Sequence, residues 1–184
     1  MPKTKTYLTP AEYAILGLVR QKPTYGYELQ RQLSGSRGLG RVCPVEPAMV
    51  YAILKSLSGL ELIDGQWDSR AYPPKAVYTA TDAGEAEFLR WLQRPVGRMR
   101  EVRLDFLIKL HFALEEDTVL ARELLASQIE ACQEYELQIA REQAEVEGSS
   151  FDLIVLESKA SAARITLEWL EKALTGLKSL GTGS

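Results

Sequence analysis

The fold is decided by residues 45–60, which read VEPAMVYAILKSLSGL. Val50, Ile53, Leu54 and Leu57 recur at helical spacing, so this stretch predicts a helix with one buried face. The opposite face carries small residues, a cation and a phenol, which suit close approach to a DNA groove and its phosphates. We therefore predict that the exposed face contacts double-stranded DNA through six residues: Ala48, Met49, Tyr51, Ala52, Lys55 and Ser56.

The residues on either side of this helix predict a winged helix-turn-helix. Thr9 to Glu12 forms a capping box for a helix ending near Gln21. Thr24 is expected to cap a second helix over 25–33, whose inward residues should include Tyr27, Leu29 and Leu33. Residues 34–44 are interpreted as a loop. Two strands, 62–67 and 75–80, are predicted beyond the third helix, with 68–74 as the wing tip. Asp64-Gly65 is a competing tight-turn signal. Three helices followed by a hairpin are typical of this fold.

The rest of the chain is predicted to be helical. Thr81 is expected to start a helix that ends near Leu92, and helices follow over 102–114, 117–146 and 151–180. The fold class is therefore mainly α with a small β-hairpin wing. The predicted organisation is a DNA-binding domain at 1–92, a basic hinge at 93–100 and a helical dimerisation domain at 101–184.

The last helix carries an apolar seam with alternating steps of three and four residues. Its members are Leu153, Leu156, Ala160, Ala163, Leu167, Leu170, Leu174 and Leu177. The preceding helix repeats the pattern at Leu125, Ile129, Cys132 and Ile139. The two helices can pair within one chain, or the seam can pair two chains across a two-fold axis. A palindromic operator favours the homodimer, because it needs two recognition helices about 34 Å apart.

Charge is distributed unevenly along the chain. The net charge is −3, but residues 1–100 carry +5 and residues 101–184 carry −8. This asymmetry indicates a basic working module followed by an acidic, solvated remainder. No apolar run reaches the ~20 residues of a membrane span, and no signal peptide is recognisable, so a cytoplasmic protein is expected.

Catalytic and metal-binding patterns are missing from the sequence. His111 stands alone, neither HExxH nor GxSxG occurs, and Cys43 and Cys132 belong to no ligand spacing. We expect two reduced cysteines, no cofactor, no metal and no enzymatic activity. Trp91 and Trp169 are candidates for an aromatic effector pocket at the dimer interface, although large aromatics are also common in ordinary cores.

Several motifs together resemble the PadR family of bacterial transcriptional regulators. They are AILGL at 14–18, YGYEL at 25–29, VEPAMVY at 45–51, PKAVY at 74–78 and TDAG at 81–84, and the resemblance extends over nearly the whole chain. The resemblance implies a homodimeric winged-helix repressor that pairs through its C-terminal helices and is released from DNA by a small aromatic or amphipathic compound. It also implies that Tyr51 and Lys55 meet phosphates, and that Arg70 and Lys75 place the wing on the DNA.

The chain departs from the family pattern at three positions. Met49 stands where a polar residue is common, Ala76 leaves Lys75 as the single cation of a usually paired site, and Glu61 replaces a glycine. A thioether makes no bidentate bond to a base, which weakens direct readout. A winged-helix adaptor for protein partners is therefore the alternative function, and a small-molecule carrier is a second one.

Overall fold

The computed structural model describes residues 7–69, 75–145 and 149–180. The chain divides into two compact units, Met1–Gln93 and Arg94–Ser184. The described elements of the first unit are α1 (Pro10–Gln21), β1 (Thr24–Tyr25), α2 (Gly26–Leu33), α3 (Leu39–Val42), α4 (Pro47–Gly59), β2 (Ile63–Asp68), β3 (Lys75–Ala80) and α5 (Asp82–Leu92). Those of the second are α6 (Met99–Glu101), α7 (Leu107–Glu116), α8 (Thr118–Glu145) and α9 (Ser150–Leu180).

The core of the first unit is built from the helical faces that the sequence predicts. α1 buries Ile15, Leu18 and Val19, and α4 buries Val50, Ile53, Leu54 and Leu57. The predicted capping box of α1 is present, because Thr9 and Glu12 exchange hydrogen bonds. Tyr13 of α1 stacks on Trp91 of α5 with ring centroids 4.3 Å apart. These contacts fix α1, α4 and α5 around one apolar centre.

The sheet is antiparallel with strand order β1-β3-β2. β2 and β3 form the predicted hairpin, in which Asp64 and Gly65 pair with Thr79 and Tyr78, so the competing turn at Asp64-Gly65 is absent. β1 was not predicted. It pairs two residues with β3 and joins the start of α2 to the wing. The predicted fold class, mainly α with a small hairpin wing, is confirmed, and the predicted wing-tip residues 70–74 lie outside the described residues.

Two predictions about α2 and one about the following loop are wrong. The N-cap of α2 is Tyr25 rather than Thr24, and the backbone N–H of Tyr25 donates to Glu28 at 3.2 Å. Tyr27 was expected to point inward but is 44% exposed, because it lies on the face of α2 opposite the buried Leu29 and Leu33. Within 34–44, a short helix forms because Leu39 can be buried.

The second unit consists of packed helices. A π-helical turn at Val102–Phe106 precedes α7, where the sequence predicts one regular helix over 102–114. α8 and α9 lie against each other along much of their length, as the pairing within one chain requires. Buried polar side chains fasten the segment before α6. Gln128 bonds both the N–H and the C=O of Val96, at 2.7 and 3.0 Å, and Lys109 donates to the carbonyl oxygen of Arg94 at 2.6 Å.

Candidate nucleic-acid interface

α4 presents an exposed face of the composition that the sequence predicts. Pro47 occupies the first turn, where its missing N–H costs nothing, and the buried residues fix the rotation of the helix. Five predicted DNA-contacting residues are exposed on the other side: Ala48, Met49, Tyr51, Ala52 and Lys55. Met49 is 54% exposed and Tyr51 is 50% exposed. Small side chains beside a cation and a phenol leave the helix backbone accessible to a groove.

Ser56 has a partner inside the protein. Its hydroxyl donates to Oε1 of Glu12 at 3.1 Å, and the other carboxylate oxygen of Glu12 accepts from the N–H and the hydroxyl of Thr9. Glu12 is only 4% exposed, so one buried carboxylate ties the start of α1 to the middle of α4. The capping box predicted the bond to Thr9, but no local pattern indicates the bond to a residue so distant in sequence.

Tyr51 lies against the N-terminus of α2. A methyl group added at Gly26 would lie 2.7 Å from Cε1 of Tyr51, so the ring occupies the space that any side chain at Gly26 would need. An alanine at position 26 would therefore force the Tyr51 ring to move. The phenol of Tyr51 is therefore held beside the first turn of α2, with half of its surface open to a partner.

The outer end of the described hairpin, at Asp68 and Lys75, contacts the same end of α2. Tyr25 donates its hydroxyl to Oδ2 of Asp68 at 2.9 Å, and this bond raises the pKa of Tyr25. Nζ of Lys75 lies 4.5 Å from the centroid of the Tyr27 ring, and the rings of Tyr25 and Tyr27 stack at 5.6 Å. Lys75, which is predicted to place the wing on the DNA, thus lies beside an aromatic ring. Arg70 lies outside the described residues.

Trp67 is a surface residue that the sequence reasoning missed. It lies on β2 directly opposite Ala76 and is 76% exposed. Ile63 and Trp67 share one face of the strand, and only Ile63 reaches the core. The strand alternation places Trp67 correctly, but it does not reveal that the core ends before this position.

The predicted seam of α9 is mostly covered by α8 of the same chain. Leu156, Ala160, Ala163, Leu167 and Leu170 are buried, Leu174 and Leu177 are half-buried, and Leu153 is exposed. Leu156 and Ala160 pack with Ile139 of α8. The pairing within one chain, which the sequence left open, accounts for these contacts. Whether the seam also joins two chains stays a prediction.

A different apolar stripe on α9 is exposed. Phe151, Ile154 and Ile165 are 70%, 65% and 65% exposed, and their spacing of three and eleven residues places them on one face. Sequence reasoning missed this stripe because the more regular seam dominated the pattern. The stripe continues beside an open groove of about 970 Å³, which is lined by apolar side chains and by four cations, Arg98, Arg100, Arg103 and Lys159.

The two tryptophans have different surroundings. Trp169 lines this groove and its ring centroid lies 6.1 Å from that of Phe106. Trp91 is buried in the first unit against Tyr13 and Phe88, and it is absent from the described lining of the groove. A pocket shared by both tryptophans stays a prediction.

Other side chains with chemical potential are occupied structurally. His111 lies 3.5 Å from Glu115, one turn further along α7. Cys43 and Cys132 are buried, and desolvation raises the pKa of both thiols. Across 7–69, 75–145 and 149–180, no cluster of His, Cys, Asp and Glu is arranged to hold a metal ion. None of the helices in those ranges is long and apolar enough to cross a membrane.

Comparison with known families decides what this architecture belongs to. The model of the Transcriptional regulator PadR-like family matches residues 15–90, from α1 into α5. This chain contains a PadR-like domain. The resemblance predicted from the sequence is thereby confirmed, and a family of transcriptional regulators agrees with the prediction that the protein is not an enzyme.

Individual relatives of this chain are distant. The Negative transcriptional regulator PadR of Bacillus subtilis is 29% identical over 102 residues, which are 55% of each protein. The chain thus spans about half the length of the curated relative that it matches.

The chain also shares low sequence identity with several solved structures. The operator-DNA complex of Bacillus subtilis PadR is 24% identical, with a TM-score of 0.47 over 92% of this chain and 98% of that one. Its p-coumaric acid complex is 22% identical, with a TM-score of 0.42 over 92% and 99%. The PadR-like regulator BC1756 of Bacillus cereus is 24% identical, with a TM-score of 0.42 over 95% and 99%. At these TM-scores the likenesses carry no structural argument.

Proposed function

We propose that this chain is a dimeric, sequence-specific DNA-binding repressor acting in the cytoplasm. The observation that carries the proposal is the exposed face of α4, on which Tyr51 and Lys55 flank the small residues Ala48 and Ala52. A cation and a phenol beside small side chains fit phosphates at the edges of a groove and base edges within it. The family match to α1–α5 and the name of the negative regulator related to it support the repressing role.

DNA binding is tested with the purified full chain and fluorescently labelled duplex DNA from upstream of its own gene, at 50 and 200 mM salt. A protein that contacts about 6–10 phosphates loses roughly 10³–10⁵ in affinity between these conditions. Tight binding at low salt that falls in this way supports the proposal. If even random duplex is not bound at 50 mM salt, the protein is not a DNA-binding regulator.

The dimer is proposed to form through the second unit. The exposed stripe of Phe151, Ile154 and Ile165 is an apolar surface of the kind that associating helices cover. The predicted seam residue Leu153, on a different face of α9, is also exposed. A palindromic operator requires two copies of α4. Sedimentation of wild type and Ile165→Asp tests this role: the wild type should be a dimer and the variant a monomer. A wild-type monomer at micromolar concentration would contradict it.

An effector is proposed to bind in the groove of the second unit. Trp169, Tyr135 and Ile165 supply apolar surface, and the surrounding cations supply charge, so the groove fits a small aromatic or amphipathic compound. Such a compound changes the affinity of the dimer for DNA only if it binds two conformations of the dimer unequally. Anilinonaphthalene sulfonate serves as the probe. Operator release at concentrations that fill the groove supports regulation, and unchanged operator affinity at saturation contradicts it.

One observation favours the protein-adaptor function as the second candidate. Met49 on α4 and Trp67 on β2 are large, apolar and exposed. Exposed aromatic and thioether side chains are common at protein interfaces. The salt series separates the two functions, since an adaptor shows little DNA binding at any salt concentration.

A further inference from the structure

The first turn of α2 contacts both strands of the wing. Tyr25 bonds Asp68, the last residue of β2, and Tyr27 lies under the ammonium group of Lys75, the first residue of β3. Asp68 and Lys75 face each other in the register of the hairpin and form its outermost described pair. Each strand is therefore held by one of two stacked tyrosine rings.

The outer end of the described hairpin, near Asp68 and Lys75, has fewer attachments than the inner end. Among the described residues of the hairpin, only Ile63 is buried, and β1 pairs just two residues with β3. Beyond the residues that pair with β1, the described hairpin has only two strands, and two strands alone are only marginally stable in water. The contacts of Tyr25 and Tyr27 therefore restrict the outer half of the hairpin, which the apolar core does not reach.

Gly26, the residue between these tyrosines, contacts α4. Gly26 lies under the ring of Tyr51, so close that a side chain at position 26 would displace the ring. The segment 25–27 thus touches α4 through its central residue and the wing through the two residues on either side. One short backbone segment therefore contacts both α4 and the wing.

We propose that Tyr25 and Tyr27 are positioning residues that hold the wing at the distance from Tyr51 that simultaneous contact with DNA requires. The inference rests on the proposed function. Two contacting elements bind one duplex strongly only when their geometry is fixed beforehand, since otherwise each binding event must also order the hairpin. Tyr25 acts through Asp68 and need not touch DNA itself.

Two acidic residues of β2 provide a sharp test. Asp68 and Asp64 lie four residues apart on the same face of the strand. In the described structure, the side chain of Asp64 accepts a hydrogen bond only from the neighbouring Gln66. Replacing either with Ala removes one negative charge from the wing, and this alone favours binding to the DNA polyanion. Asp64→Ala should therefore bind the upstream DNA as well as wild type or better. Asp68→Ala should bind roughly 2- to 10-fold more weakly, because the bond from Tyr25 is lost.

Tyr25→Phe is the second variant, because it keeps the ring stacked on Tyr27 and removes only the hydroxyl. It should weaken DNA binding by a similar factor, and the double variant with Asp68→Ala should show no further loss. Amide exchange in β3 should become faster in Tyr25→Phe, while exchange in α8 stays unchanged.

The inference and the proposed function fail in different ways. If wild type binds DNA but Tyr25→Phe binds equally well, or if Asp68→Ala and Asp64→Ala raise affinity alike, the positioning role is wrong and the DNA-binding function stands. A loss of thermal stability without a loss of affinity has the same meaning. If wild type binds no DNA, both are overturned.

Discussion

The ring of Tyr51 on α4 covers Gly26 at the start of α2, with its Cε1 atom only 2.7 Å from the position of a missing Cβ. Glycine at this position leaves room for the Tyr51 ring, which packs on the start of α2 while half of it stays exposed. A preorganised side chain loses little entropy when it binds a phosphate. This contact explains how a single tyrosine can be both packed and available.

Gly26→Ala should therefore weaken DNA binding without unfolding the protein. The added methyl displaces the Tyr51 ring, and loss of one hydrogen bond to a charged phosphate corresponds to roughly 10-fold or more in affinity. Alanine is a better helix former than glycine, so stability should change by less than about 1 kcal/mol. Titration of upstream DNA and urea unfolding measure the two effects.

Gly35→Ala is the matched control, because the nearest atom to its new methyl group lies 3.7 Å away. Equal affinities for both variants and wild type would show that the position of Tyr51 does not matter for DNA binding.

Glu61→Gly should stabilise the first unit by about 1 kcal/mol. Glu61 has φ of 58°, the left-handed conformation that costs a residue with a side chain about 1–2 kcal/mol. It follows the end of α4, where the N–H groups of Glu61 and Leu62 bond the carbonyl oxygens of Ser58 and Leu57. This arrangement normally carries glycine. Urea unfolding measures the change.

Gln93→Gly, at the end of α5 where φ is −74°, is the comparison. It relieves no strain and should not stabilise. A Glu61→Gly protein less stable than wild type would mean that the glutamate side chain makes a contact worth more than the strain.

Lys109 should make stability depend on alkaline pH. Burial lowers the pKa of Lys109 to about 8, although Asp105 opposes the shift. Between about pH 8 and its usual pKa near 10.5, the unfolded chain binds a proton that the folded chain does not, so stability contributed by this residue rises with pH. Below pH 8 both states are protonated, and the residue adds no pH dependence.

Urea unfolding at pH 7, 8, 9 and 10 tests this expectation when wild type is compared with Lys109→Met. Other groups titrate in this range, so the difference between the two proteins is the relevant quantity. The rise in stability attributable to Lys109 should be missing from the variant, and parallel curves would contradict the lowered pKa.

Gln128→Leu should destabilise the second unit by about 2 kcal/mol or more. Gln128 is fully buried and satisfies both backbone groups of Val96, which would lose their partners. An unsatisfied buried polar group costs about 1–3 kcal/mol. Gln138→Leu, an exposed change on the same helix, should be nearly neutral. Urea unfolding measures both stabilities. Equal values for the two variants would show that the hydrogen bonds between Gln128 and Val96 do not stabilise the second unit.

Local sequence patterns predicted much of the fold because they depend only on interactions between neighbouring residues. The capping box at Thr9 and the apolar spacing of α4 each require only a few neighbouring residues, and both are present in the structure. The bonds of Glu12 to Ser56 and of Tyr25 to Asp68 join residues 44 and 43 positions apart. No periodicity encodes such pairs. They are settled only when the elements pack.

The exposed side of α9 was missed for a related reason. Two apolar faces lie on one helix, and the regular seam is the one that α8 covers. Periodicity identifies an apolar face but does not say which surface will cover it. The stripe at Phe151, Ile154 and Ile165 is visible only once the seam is occupied.

The central claim is that the exposed face of α4 binds DNA. The most direct test compares wild type, Tyr51→Ala with Lys55→Ala, and Lys172→Ala for binding to the upstream DNA across a salt series. Lys172 is an exposed lysine on α9, paired with Glu168 and distant in sequence from the proposed interface. Wild type and Lys172→Ala should bind alike. The double variant should bind at least 10-fold more weakly, with a salt slope reduced by about 1 for the lost lysine contact. A double variant that binds with the affinity and slope of wild type would contradict the account.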